Sequence, residues 1–201
     1  MKNLSKKQKL ISFILFIVLL GAFIFVGTRD YEIKEVDEHK VFSNEYKIVP
    51  NENVFVYVNS SKIYTSLKSG SSIIFFGFSK NEFSGHYAKI INEVATEKGI
   101  KEILYYDFYE DRENYNGTYE SIVLLLEDYL NKNDLGKVDL VAPSMVVVKN
   151  GKILFYDEET AYTPVKINPD DYWNEYNVGI KKATLGYIFD EYLEVFNGEQ
   201  N

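Results

Sequence analysis

The sequence predicts an α/β domain: a mixed sheet flanked by helices, behind one N-terminal membrane-spanning helix. Three observations carry this expectation. Short strand-like apolar runs alternate with helix-period segments from Asn53 to Leu130. An Asn150-Gly151 hairpin and a terminal helix follow them. The stretch from Leu10 to Thr28 carries no charge at all. Alternation closed by a hairpin and a helix places helices on both faces of a mixed sheet.

Composition sets the limits. The chain has 201 residues, 46% hydrophobic and 26% charged, enough for one folded domain with an appendage. Cysteine is absent, which excludes disulfides, thiolate metal sites and thiol redox chemistry. His39 and His86 are the only histidines, so a His-rich metal centre is excluded too. The formal charge of -8 disfavours binding to a phosphate backbone, and no nucleic-acid partner is expected. No cofactor and no metal are expected.

Residues 1–9 form a basic tail with Lys2, Lys6, Lys7 and Lys9. The 19-residue run 10–28 then spans roughly 28 Å as a helix, close to the thickness of a bilayer core. A cleaved signal and a retained anchor both begin this way. Signal cores are usually shorter, and Phe25 or Val26 stands where cleavage wants a small residue, so the anchor is favoured. The basic flank stays in the cytoplasm and puts the main domain outside.

Residues 29–50 are charged and unpatterned. They read as an extracytoplasmic stalk with at most a short strand over Lys40 to Val49, and the domain proper is expected at 51–201. Asn53 to Val58 is a strand candidate, and Asn59-Ser60-Ser61 can cap a short helix that ends near Leu67 and is closed by Gly70. Ser72 to Gly77 is a continuous apolar run, as in a strand buried on both faces. Asn81 to Lys98 is a helix with Tyr87, Ile90, Ile91 and Val94 on one face, stopped by Gly99. Glu102 to Phe108 is a strand and Thr118 to Leu130 a helix. Ser144 to Lys149 and Lys152 to Tyr156 flank the Asn-Gly turn of a hairpin. The insert 157–177 is irregular, and Val178 to Phe196 is the terminal helix.

Ile74 to Ser84 reads IFFGFSKNEFS, and Ala142-Pro143-Ser144 leads into MVVVKNGKILFY. This arrangement resembles the thioredoxin-like superfamily. In that superfamily a strand runs into Cys-x-x-Cys at a helix start, and a cis-proline strand with a Lys-Asn-Gly hairpin follows. The stretches VYVNSSKIYTSLKSGSSIIFFGFSKN and INEVATEKGI are similar to membrane-anchored bacteriocin-transport accessory proteins of that superfamily. The resemblance covers roughly Asn53 to Phe196.

It also marks departures. Asn81-Glu82-Phe83-Ser84 fills the redox slot, with Asn81 and Ser84 at the two cysteine positions. Phe75 stands where many thioredoxins keep a buried acid. An amide and a hydroxyl cannot exchange disulfides, so no thiol-disulfide oxidoreductase and no catalytic residue is expected. The resemblance implies a groove at Ala142, Pro143 and Ser144, where the turn exposes the backbone of the residue before the proline to an extended client. Strand addition of that kind needs no thiol. Asn81 is expected first as the N-cap of its helix, and second as a ligand contact.

Other candidates have plainer readings. Ser84 and His86 lie two apart on a helix, which turns them to nearly opposite faces and disfavours a dyad. Asp107, Glu110, Asp111 and Glu113, and Asp157, Glu158 and Glu159, read as solvated loops rather than a calcium site. Tyr162, Tyr172, Trp173 and Tyr176 suit a partner surface, although Trp173 is better read as the residue pinning the insert to the core. The expected function is a non-catalytic binder of a secreted or membrane polypeptide in peptide or bacteriocin export, maturation or immunity. The alternatives are a structural subunit of an envelope complex, or a non-redox enzyme using the slot as its pocket.

Overall fold

The computed structural model describes residues 37–132, 136–159 and 167–198. The elements are α1 (Glu38–Glu45), β1 (Phe55–Tyr57), α2 (Ser60–Ser69), β2 (Ser72–Gly77), α3 (Glu82–Glu97), β3 (Ile103–Asp107), α4 (Tyr109–Glu113), α5 (Gly117–Leu126), β4 (Ser144–Lys149), β5 (Lys152–Glu158), α6 (Pro169–Tyr172) and α7 (Glu175–Gly198). The five strands form one sheet in the order β1-β3-β2-β4-β5. β1 and β2 lie parallel to β3, whereas β4 runs antiparallel to both β2 and β5. The α/β class with a mixed, helix-flanked sheet is therefore as the alternation predicts.

The pleat explains why the central strands are apolar throughout. Phe75 of β2, Tyr105 of β3, and Met145 and Val147 of β4 point into one core with Tyr87 and Ile91 of α3 and Phe189 of α7. Their neighbours Ile74, Phe76, Leu104, Tyr106, Val146 and Val148 point the other way, against Ile63 of α2 and Ile122 of α5. A strand covered on both faces has no polar alternation to show. Phe75, aligned with a thioredoxin acid by the resemblance, is 0% exposed and stacks on Tyr105 with centroids 5.6 Å apart. Removing so large a ring from water stabilises the fold by about 3 kcal/mol. The hairpin turns on Asn150 (φ 48°) and Gly151 (φ 74°), the left-handed pair that an Asn-Gly turn requires.

Four expectations need correction. Of the segment expected as stalk, 29–36 lie outside the described residues; from Asp37 on it is helical over α1, in place of the strand expected at 40–49, and belongs to the compact unit that begins there. Phe42, Tyr46 and Val49 lie one helical turn apart in sequence, and all three are buried in the first core. The helix expected at 118–130 runs only over Gly117–Leu126. The acidic stretch 157–159 is no solvated loop: Asp157 and Glu158 extend β5, and Glu159 is buried. The insert is irregular only in part, because α6 lies within it and α7 begins at Glu175.

The expected anchor at 10–28 and Tyr162 lie outside the described residues. Among the described residues no helix is long and apolar enough to cross a membrane.

Candidate functional site at the start of α3

β2 ends at Gly77 and the chain turns through 78–80 into α3. Asn81 is the N-cap. Its Oδ1 accepts from the Ser84 amide at 3.0 Å, satisfying one of the donors that every helix start leaves open. Its Nδ2 donates to the carbonyl of Ala142 at 2.8 Å, across 61 residues of sequence. One side chain thus joins the start of α3 to the Ala142-Pro143 turn. The Ala142-Pro143 bond is cis.

That turn is closed by its own chain. Ala142 is 6% exposed and Ser144 0%, and Pro143 between them is buried. The Pro143 carbonyl accepts from the Glu159 amide at 3.1 Å, so the carbonyls of both turn residues already have donors. The side chains that remain on the outer rim are Glu82, exposed, and Phe83 and Tyr172, both half-buried. Phe83 meets Tyr172 of α6 edge to face, with centroids 5.6 Å apart.

Ser84, which the resemblance sets at the second cysteine position, is 0% exposed. Its Oγ has no hydrogen-bond partner of good geometry, although the Tyr46 phenol is near enough to be influenced by it. Tyr46, the C-cap of α1, supports the slot from below. It packs under Gly85, where an added Cβ would come within 3.4 Å of its ring, and its hydroxyl pairs with that of Tyr105 at 2.9 Å. Burial raises the Tyr46 phenol far above its ordinary value, so it stays a neutral hydrogen-bonding group. Nothing in the motif at 81–84 points to Tyr46. The helical spacing of Phe42, Tyr46 and Val49 is the signal that would have found it.

No nucleophile and base come together here. His86 is half-buried and directs Nε2 to Asp170 at 3.3 Å. Burial lowers its imidazole from the ordinary value, and Lys89 acts in the same sense against the pull of Asp170. The slot thus consists of a cap, a buried hydroxyl and an aromatic rim, without an acid-base pair.

Behind the slot lies an ionic cluster. Lys181 of α7 bonds to Asp157 at 3.0 and 2.8 Å and also pairs with Glu159. Tyr87 donates to Asp157, and Tyr172 to Glu159. The side chains of Lys181, Asp157 and Glu159 are only 12%, 16% and 10% exposed. Burial works against the Lys181 charge, but the two carboxylates outweigh it and hold the ammonium above its ordinary range. Trp173 stacks on Tyr87 with centroids 6.1 Å apart and is 7% exposed, so it does pin this part of the insert to the core. Tyr176 is 74% exposed and stands apart from it.

Among the described residues no group of His, Asp and Glu is placed to hold a metal ion. Comparisons with protein-family models, with curated proteins and with solved structures give no match for this chain.

Proposed function

We propose that this chain is a membrane-anchored, extracytoplasmic, thioredoxin-like protein that binds a polypeptide without redox chemistry. The observation that carries the reading is the double role of Asn81. Where the resemblance places an attacking thiolate, an amide caps the helix and holds the Ala142 carbonyl. A position that needs to be free for chemistry is thereby committed to structure. The sheet order and the helix start joined to the Ala142-Pro143 turn support the thioredoxin-like assignment.

A client meets this site at the rim. With both turn carbonyls supplied with donors, Glu82, Phe83 and Tyr172 present the available surface, an apolar pair beside one charge. Such pairs of aromatic rings are favourable anchors for protein contacts. A place in peptide or bacteriocin export, maturation or immunity follows from the resemblance alone.

A second reading, a structural subunit of an envelope complex, is favoured by a different surface. Leu124 is 68% exposed, Leu125 38% and Tyr129 44%, at and beyond the end of α5.

In-cell photo-crosslinking from position 82, with position 176 as comparison, tests the first reading. Both sites are exposed, so neither probe disturbs the core. A discrete polypeptide adduct from 82, identified by mass, is expected. Adducts from 176 alone would transfer the contact to another face, and no adduct from either would overturn polypeptide binding at the slot.

A further inference from the structure

Trp173, the only tryptophan in the chain, lies between two tyrosines. It stacks on Tyr87 with 7° between the planes and 6.1 Å between centroids, and it meets Tyr172 edge to face at 5.0 Å. Both phenols donate to carboxylates of the ionic cluster, Tyr87 to Asp157 and Tyr172 to Glu159. The indole makes no such bond. Its Nε1 is buried and has no hydrogen-bond partner among the described residues.

That difference decides what each ring does on losing an electron. An oxidised phenol is a strong acid and sheds its proton at once, and a carboxylate bonded to the hydroxyl takes that proton in the same step. An oxidised indole also becomes an acid at Nε1–H, its one donor. At Trp173 neither water nor an acceptor reaches that proton, so the oxidised ring stays a radical cation. A radical cation that keeps its proton is a stronger oxidant than a phenoxyl that has passed its proton on. Electrons therefore run from tyrosine to Trp173.

The two tyrosines are not equivalent donors. Lys181 Nζ lies 5.5 Å from the centre of the Tyr87 ring, and a cation over a ring opposes the loss of an electron from it. Asp157, the acceptor for Tyr87, already takes Lys181 on both oxygens. Tyr172 has no cation over its ring among the described residues, and it bonds to Glu159 Oε1 while Lys181 pairs with Oε2. One ammonium between two carboxylates leaves the cluster with a negative charge in excess, which a proton on Glu159 removes.

We propose that Trp173, Tyr172 and Glu159 form a one-electron relay that moves an oxidising hole from the indole to the half-buried phenol at the rim. The hole enters from a one-electron oxidant of the carbonate-radical class, which takes one electron from the indole and leaves as carbonate. Tyr172 then gives one electron to the indole radical cation, and its O–H proton passes to Glu159 Oε1. The products are a neutral indole, a neutral phenoxyl radical and a neutral carboxylic acid. Tyr172 lies against Phe83 at the surface, so a diffusing one-electron reductant reaches the phenoxyl there. That electron and the proton returned by Glu159 restore the phenol and the carboxylate. The relay uses no thiol, and it holds whether or not a polypeptide binds at Glu82 and Phe83.

A single tryptophan makes the hole's starting point selectable. The full-length chain, kept in solution with mild detergent, is excited by a laser flash at the red edge of the tryptophan band, where tyrosine does not absorb. The ejected electron comes from Trp173 and is taken up by dissolved oxygen. Transient absorption follows the indole radical cation in the visible and the tyrosyl radical in the near ultraviolet. The radical cation is expected to form first and to decay in one first-order step, independent of protein concentration, as the tyrosyl band rises. Tyr172→Phe keeps the ring and should lose that rise. Glu159→Gln keeps an acceptor but not a base, and should slow the rise about a hundredfold, the low end of what a positioned proton acceptor contributes. The proposal is overturned if Trp173 forms the deprotonated neutral radical, if no tyrosyl band follows, or if Glu159→Gln keeps the wild-type rate. It is also overturned if the rise survives Tyr172→Phe and is lost in Tyr87→Phe, which would put the hole on the other phenol.

Discussion

Replacing Asn81 by alanine removes two hydrogen bonds of different kinds, and replacing it by serine separates them. The cap to the Ser84 amide contributes about 1 kcal/mol, the usual effect of an N-cap. The bond to Ala142 has more at stake, because its acceptor belongs to a residue only 6% exposed. Without its donor that carbonyl loses about 1–3 kcal/mol. Asn81→Ala is therefore expected to destabilise by about 2–4 kcal/mol. Serine caps about as well as asparagine but has no amide to reach across the turn, so Asn81→Ser should lose about 1–3 kcal/mol. Urea denaturation of the full-length chain, followed by tyrosine and tryptophan emission, gives both differences from the shift in midpoint at constant slope. The expected order is wild type, then serine, then alanine. A serine variant as stable as wild type would show that the amide-carbonyl bond contributes nothing, and would remove the reason for treating position 81 as a joint.

The remaining predictions concern the supports around that joint. Lys181→Met leaves Asp157 and Glu159 facing each other without their cation and should cost about 3 kcal/mol in the same assay. Because the folded state raises the Lys181 pKa, this stabilisation is complete below about pH 10.5 and is lost as the pH rises further, so the gap between wild type and variant should narrow in alkali. His86 is held below 6.5, so its contribution is present above that value and fades as acid protonates the folded form. Asp170→Asn removes the one attraction opposing burial, and imidazole resonances should then titrate at lower pH still. Gly151→Ala should cost more than about 2 kcal/mol, since φ is +74° and the new Cβ would lie 2.2 Å from the Lys68 carbonyl oxygen. A midpoint within error of wild type would refute that reading of the turn.

Local signals were legible and long-range ones were not. The Asn150-Gly151 turn and the cap at Asn81 are each decided by residues within a few positions and found as expected, and within the capping stretch 59–61 the cap is Asn59. Trp173 as an anchor was also legible, because a long insert needs one. The opposite case is the run Asp157-Glu158-Glu159. Three acids after a hairpin resemble solvated surface, and only partners distant in sequence, Lys181 with Tyr87 and Tyr172, hold Asp157 and Glu159 in the interior. The second bond of Asn81 has the same character, since its partner is 61 residues away. α1 failed for another reason. Its segment is charged and reads as unpatterned, whereas the buried residues follow a helical period through Phe42, Tyr46 and Val49.

An amide has no oxidation state to change under cellular conditions. The link between the first residue before α3 and the turn at Ala142 is set by hydrogen bonds, and no sulfur from cysteine exists anywhere in the chain. Folding therefore calls on no oxidase to make a bond and no isomerase to correct a mispaired one. The native state has the same covalent structure in glutathione as in air, and its stability is expected to be blind to both. A partner that depended on this protein would find it in working order from the moment the chain folds, in oxidising and reducing surroundings alike.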